Sequence, residues 1–173
     1  MGVHRYRVWN GASPTTAALA AVTTGTAIKT MLQLASPSTR QVMICGWGFS
    51  VDDPPGADAM FELVETDVAA TVTAHVAAGI VKRLSGIPDS LLTLGTSATG
   101  YTASAEGSTT SARVFDTVSM SSVSAEAAPF LTYYRNFEAD GIPPVMAISK
   151  FLRIRATTPT TAVDMRCFID IEE

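Results

Sequence analysis

The sequence predicts an all-β domain: an antiparallel β-sandwich, jelly-roll-like, of about eight strands with one short helix at most. Three observations lead there. Apolar and polar residues alternate at period two over much of the chain. Pro- and Gly-rich breaks punctuate the alternating runs, and little of the chain reads as helix. The 173 residues fit one sandwich domain over 26–173, preceded by an N-terminal arm or short strand over 1–25. A chain of this length buries about two-thirds of its unfolded surface, so its core needs neither a metal nor a disulfide staple.

A short strand is expected around Tyr6 to Trp9, and the small residues from Gly11 to Gly25 read as an extended arm. Ile28 to Leu34 sets Ile28, Leu32 and Leu34 against Lys29 and Gln33. Gln41 to Val51 places Met43, Cys45, Trp47, Phe49 and Val51 on one face. The other face begins with Val42 and Ile44 and empties into Gly46 and Gly48, a spacing that predicts close backbone approach or a bulge. Asp52-Asp53-Pro54-Pro55-Gly56 breaks the chain before a strand over Met60 to Thr66. Thr73 to Leu84, with Ala74, Ala77, Ala78, Ile80 and Val81, is the place for a short helix. Gly79 weakens that helix by up to about 1 kcal/mol relative to Ala.

Gly95 to Ala112 is nearly all Gly, Ser, Thr and Ala, either a long surface loop or a hairpin with small side chains. Strands follow over Arg113 to Met120 and Phe130 to Phe137. Ile148 to Thr157 opposes Ile148, Leu152, Ile154 and Ala156 to Ser149, Arg153 and Arg155. The clearest alternation is at Val163 to Glu172. There Val163, Met165, Cys167, Ile169 and Ile171 face one way and Asp164, Arg166, Asp170 and Glu172 the other, and only Phe168 breaks the rule. Thr158 to Thr161, with Pro159 inside it, reads as a β-hairpin turn between these last two runs.

Hydrophobic residues make up 47% and charged residues 16% of the chain, against a usual charged share of about a quarter. Such a surface is covered by small polar residues or by neighbouring subunits. The net charge of −4 argues against nucleic-acid binding, which draws on a basic excess. No run approaches the roughly 18 apolar residues of a membrane span, and Met1 to Asn10 carries no secretion or myristoylation signal. Synthesis in the cytosol is the expectation. Cys45 and Cys167 lie in apolar runs and read as buried free thiols, a pairing between them being left open by spacing alone.

The search for chemistry yields no catalytic residue, no metal site and no cofactor motif. The two histidines, His4 and His75, have no partner at metal-ligand spacing, and glycine-rich phosphate loops and nucleophile elbows are missing. Asp52, Asp53 and Asp58 could hold calcium, but the plainer reading is a solvated turn. Glu62, Glu65 and Asp67 could supply paired carboxylates for glycoside hydrolysis, with surface charge as the plainer reading. Lys150, Arg153, Arg155 and, across the expected hairpin, Arg166 form a basic strip. It reads either as a solvated face with pairs to Asp164 or Asp170, or as a contact with an acidic neighbour. The aromatic residues Trp47, Tyr133 and Tyr134 suit core packing or a sugar-stacking shelf.

The runs Gly25 to Thr30, Trp47 to Ser50, Phe61 to Asp67, Arg113 to Asp116, Phe151 to Arg155 and Arg166 to Phe168, with the Glu172-Glu173 end, together resemble small virion proteins of actinobacterial phages and prophages. The resemblance spans most of the chain from about residue 25, and its motifs are structural. It implies a capsid decoration or minor capsid protein with no enzymatic activity. That protein would be assembled in the host cytoplasm and carried on the head surface of the virion. Its partners would be the major capsid protein and itself, as a homotrimer. Candidate contacts are then Tyr6, Trp9, Lys150, Arg153, Arg155 and Arg166. The alternative is a tail-fibre or receptor-binding domain that recognises host glycan through Tyr101, Tyr133, Tyr134 or the Gly95–Ala112 loop.

Overall fold

The computed structural model describes residues 4–13, 15–122 and 132–173; the first two residues of the expected Phe130–Phe137 strand lie outside them. Thirteen strands occur among the described residues. They are β1 (Arg5–Trp9), β2 (Val22–Thr23), β3 (Lys29–Ala35), β4 (Val42–Val51), β5 (Ala59–Thr66), β6 (Thr71–Ala74), β7 (Ile80–Lys82), β8 (Gly100–Ala105), β9 (Ala112–Met120), β10 (Thr132–Asn136), β11 (Val145–Met146), β12 (Phe151–Thr157) and β13 (Asp164–Glu172). One sheet runs β10-β4-β13-β1-β7, with β11 also on β4 and β2 also on β13. The other runs β6-β8-β3-β12-β5-β9. Every named pairing is antiparallel.

The two sheets pack as a sandwich because each presents an apolar row to the other. Met165, Cys167, Ile169 and Ile171 of β13 and Tyr6 and Val8 of β1 meet Leu32, Leu34, Phe61, Leu63, Leu152 and Ile154 in one cluster. Side chains two apart on a strand share a face, which is how the alternation becomes a core. Of the arm or short strand expected over 1–25, β1 is the strand. It lies between β13 and β7 with Tyr6 and Val8 fully buried, so it belongs to the packed domain.

Four sequence expectations are corrected. Thr73 to Leu84 is not a helix: β6 ends at Ala74, a 3-10 turn covers Ala77–Gly79, and β7 follows. After that single turn the chain returns to extended backbone at Ile80, and Gly79 sits against the His75 ring, where a Cβ would lie 2.5 Å from Nδ1. The Gly95–Ala112 segment is neither one long loop nor a hairpin folded on itself, since its strand β8 pairs with β3 and β6. Thr158 to Thr161 is not a hairpin turn: β12 lies between β3 and β5, and β13 between β4 and β1 in the opposite sheet. With both edges of each strand already paired, the two cannot pair with one another. The turn is a corner between sheets, tied by a 2.9 Å contact between the Thr24 and Thr158 hydroxyls and by the Val163 N–H donating to Thr24 Oγ1 at 3.0 Å.

The fourth correction concerns β4. Asp170 pairs with Gly46 but Ile171 pairs with Ile44, so Cys45 is the extra residue of a bulge. A bulge inverts the two-residue period. Val42 and Ile44 before it, and Trp47, Phe49 and Val51 after it, therefore all enter the core, while Cys45 is left on the outer side. A similar shift skips Met31 between β3 and β12, and Ile28, just before β3, is 42% exposed rather than inward. Both cysteines are free and buried.

Candidate functional site

The outer face of the first sheet carries a row of aromatic side chains that follows from strand register. Tyr134 of β10 stands opposite Gly48 of β4, Gly48 opposite Phe168 of β13, and Phe168 opposite Trp9 of β1. The Trp9 and Phe168 rings are 4.9 Å apart and the Phe168 and Tyr134 rings 5.9 Å apart. Gly48 keeps the row together: a Cβ there would fall 2.9 Å from the Phe168 ring and 2.7 Å from the Tyr133 carbonyl. One register step along, the Arg7 guanidinium grips Asp170 with two hydrogen bonds of 2.7 and 2.6 Å. It also sits 3.9 Å from the Phe168 ring centre, a cation–π contact. The hydrogen bonding that Arg7 donates to Asp170 raises the Arg7 pKa above its ordinary value.

The row divides two hollows. On one side Arg5, Arg7, Cys45, Glu138 and Asp170 line a polar hollow. Sγ of Cys45 and the carboxylates of Glu138 and Glu172 lie within 4.8 Å of one another there. Arg5 already binds both acids, Glu138 at 2.5 Å and Glu172 at 3.1 Å, and burial pushes the Cys45 thiol up to about 12. A metal at this place would have to displace Arg5 and deprotonate the thiol, so the cluster reads as an ion-pair network. On the other side Trp9, Ser50, Thr132, Tyr134, Arg166 and Phe168 line a groove of about 280 Å³, with Phe49 and Tyr133 below.

The basic strip is not a strip. Arg153 is 1% exposed, donates to the Glu106 carbonyl at 3.0 Å and to the Val68 carbonyl, and has its pKa lowered by burial. Arg155 pairs with Glu62 at 3.2 Å in the same sheet. Arg166 lies in the other sheet, paired with Asp52 at 2.6 Å. The expected partners Asp164 and Asp170 instead accept from Thr23 and Arg7. Tyr6 is fully buried and its hydroxyl donates to Pro88 O at 3.0 Å. Tyr6 and Arg153, both expected as capsid contacts, are buried within this chain. Lys150 and Trp9 are half-buried.

The aromatic trio is also split. Tyr134 is 55% exposed on the outer face. Its neighbour Tyr133 points inward, lies tilted against Trp47 at 5.3 Å and donates to Asp116 Oδ2 at 2.7 Å; burial, with that bond, raises its pKa. Trp47 is fully buried and donates to the same oxygen at 2.9 Å, so it forms no shelf. Tyr101 sits in the opposite sheet, 4.9 Å from the buried His75 ring.

Apart from Asp53, the acidic residues weighed for calcium or hydrolysis are engaged within the protein. Asp52 accepts from Arg166, Asp58 from the Ser122 N–H, Glu65 from Arg113 and the Ala147 N–H, and Asp67 from Thr110 and Ser111. The sequence reading missed Phe168, Arg7 and Ser50 as site residues. The signal for Phe168 was its exception to the alternation of β13. No protein-family model, curated protein or solved structure matches the chain.

Proposed function

We propose that this chain is a structural protein of a phage virion, a capsid decoration or minor capsid protein that binds the major capsid protein on the head surface as a homotrimer. The sequence runs that resemble actinobacterial phage virion proteins motivate the assignment. The observation that carries it is a run of exposed apolar side chains around β11, with one more on β9. Val114 is 53%, Val145 36%, Ile148 49% and Ile142 88% exposed. Arg113 Nη2 donates to Val145 O at 2.6 Å, which draws the two segments together. Exposed apolar side chains concentrated in one short segment suit a place where another protein sits, and closed rings of identical subunits are a common way to cover it.

Gold-labelled antibody imaging of virions that encode the chain tests this. Label spread over the head is the expected result, with light scattering of the purified protein at three times the chain mass. Label confined to the tail tip would replace the assignment with a receptor-binding role, and virions without label would remove the structural role altogether. Ile148→Asp is expected to reduce label on the head while leaving the fold intact, because the side chain is half in solvent.

A further inference from the structure

We infer that the groove beside Tyr134 and Phe168 binds a carboxylated pyranose, a uronic or sialic acid residue of a glycan. This goes beyond the architectural role and does not depend on it. Arg7 is absent from the residues that line the groove, so its guanidinium backs Phe168 from the far side and leaves the ring's other face to the groove. Bound to Asp170 by two bonds, Arg7 holds that ring in place before any ligand arrives. Aromatic faces fixed in this way accept the apolar C–H face of a sugar ring, while polar groups at the rim take its hydroxyls.

The rim has such groups. Among the described residues, the hydroxyls of Ser50 and Thr132 make no hydrogen bond within the protein, although both line the groove. Charge then chooses among sugars. Arg166 is the one charged side chain lining the groove among the described residues, and no carboxylate lines it. Its Nε is held by Leu19 O at 2.9 Å and its Nη1 by Asp52 at 2.6 Å, which among the described residues leaves Nη2 for a ligand. A guanidinium oriented by two protein bonds, one of them to a carboxylate, still offers a planar N–H donor complementary to a ligand carboxylate. The volume of about 280 Å³ lies near the lower bound of roughly 300 Å³ for ligand sites, which suits one sugar residue.

The test uses the full chain, a glucuronic-acid-containing oligosaccharide and its neutral glucose counterpart, with saturation-transfer NMR and calorimetric titration. The acidic sugar is expected to bind saturably, with transfer from aromatic protons to its ring protons. Arg166→Gln is expected to weaken it about tenfold or more, the scale of a lost charged hydrogen bond. Tyr134→Ala, at an exposed position of an edge strand, is a second variant that spares the core and is expected to weaken both sugars. No saturable binding, or binding that both variants leave unchanged, would overturn the site. Equal binding of the neutral sugar would overturn the choice of an acidic ligand.

Discussion

Gly48 stands in register between Tyr134 and Phe168, and the two rings meet at 5.9 Å across it. The backbone of β10 also closes on this position, since a Cβ would come within 2.7 Å of the Tyr133 carbonyl. Gly48→Ala therefore forces either the Phe168 ring or β10 to move. The expected cost is about 1–3 kcal/mol, the range for overpacking, read as a lower urea midpoint. A second sign is altered Trp9 fluorescence as the ring row opens. An unchanged midpoint would mean that β10 yields at little cost.

One carboxylate oxygen ties strands of the two sheets together. Asp116 Oδ2 on β9 accepts from Trp47 Nε1 at 2.9 Å and from the Tyr133 hydroxyl at 2.7 Å. Asp116→Ala leaves both donors without their partner, and each unsatisfied buried donor costs about 1–3 kcal/mol. Asp116→Asn keeps an acceptor and is expected to lose clearly less. Equilibrium unfolding of the pair, followed by tryptophan emission, separates loss of the acceptor from loss of the charge.

Much of the fold is legible in the sequence because one face of most strands is dry and the other wet. β13 shows this best, with Met165, Cys167, Ile169 and Ile171 buried. Where side chains are small, as in Gly100–Ala105 of β8, burial changes little with face, and the alternation that marks a strand is faint. Partnership is harder still. A polar segment with a proline serves equally as a hairpin turn or as a corner between sheets, and only the other neighbours of β12 and β13 decide it. On β4 the single extra residue Cys45 inverted the faces, which no count of apolar residues reveals.

The site was legible in fragments. Tyr133 and Tyr134 are adjacent, so a strand must send them to opposite faces, and only Tyr134 remains on the outside. Phe168 marks the outer row because an aromatic side chain interrupts a polar face. Its companions Trp9 and Tyr134 lie 159 and 34 positions away along the chain, and only the register of three strand pairs brings them to it.

Asp67 is expected to hold the segment before β9 through acid. Its carboxylate accepts from the Thr110 hydroxyl, from the Thr110 N–H at 3.1 Å and from the Ser111 N–H at 3.2 Å. These bonds, that from the Thr110 hydroxyl foremost, lower its pKa from 3.8 to about 2. A depressed carboxylate contributes stability that is present above its unfolded value and is lost as pH falls through its folded one. Exchange protection of the Thr110 and Ser111 amides should therefore persist at pH 3.8 and disappear near pH 2. Asp67→Asn should lose much of that protection at every pH, and equal protection in the variant would show that the backbone alone holds the segment.

His75 gives the opposite end of the pH scale. It is 3% exposed, its Nε2 lies 2.7 Å from the Trp9 carbonyl, and its Nδ1 faces Gly79. With a carbonyl as partner, Nε2 carries the proton of the neutral ring and donates it. Burial lowers the pKa below 6.5, outweighing the Trp9 bond that favours the charged form. The unfolded chain therefore binds a proton at a pH where the folded chain does not. By linkage, stability is full above pH 6.5 and falls as pH drops from there toward the folded value, below which no more is lost from this residue. His75→Gln keeps a donor near Trp9 O and removes the titration. The difference in denaturation midpoint between the two proteins should thus shrink as pH falls below 6.5, while groups common to both cancel. A difference that stays constant across that range would show that the folded protein accepts the proton on Nδ1 without strain, and that the packing of Gly79 and Tyr101 around the ring yields to it.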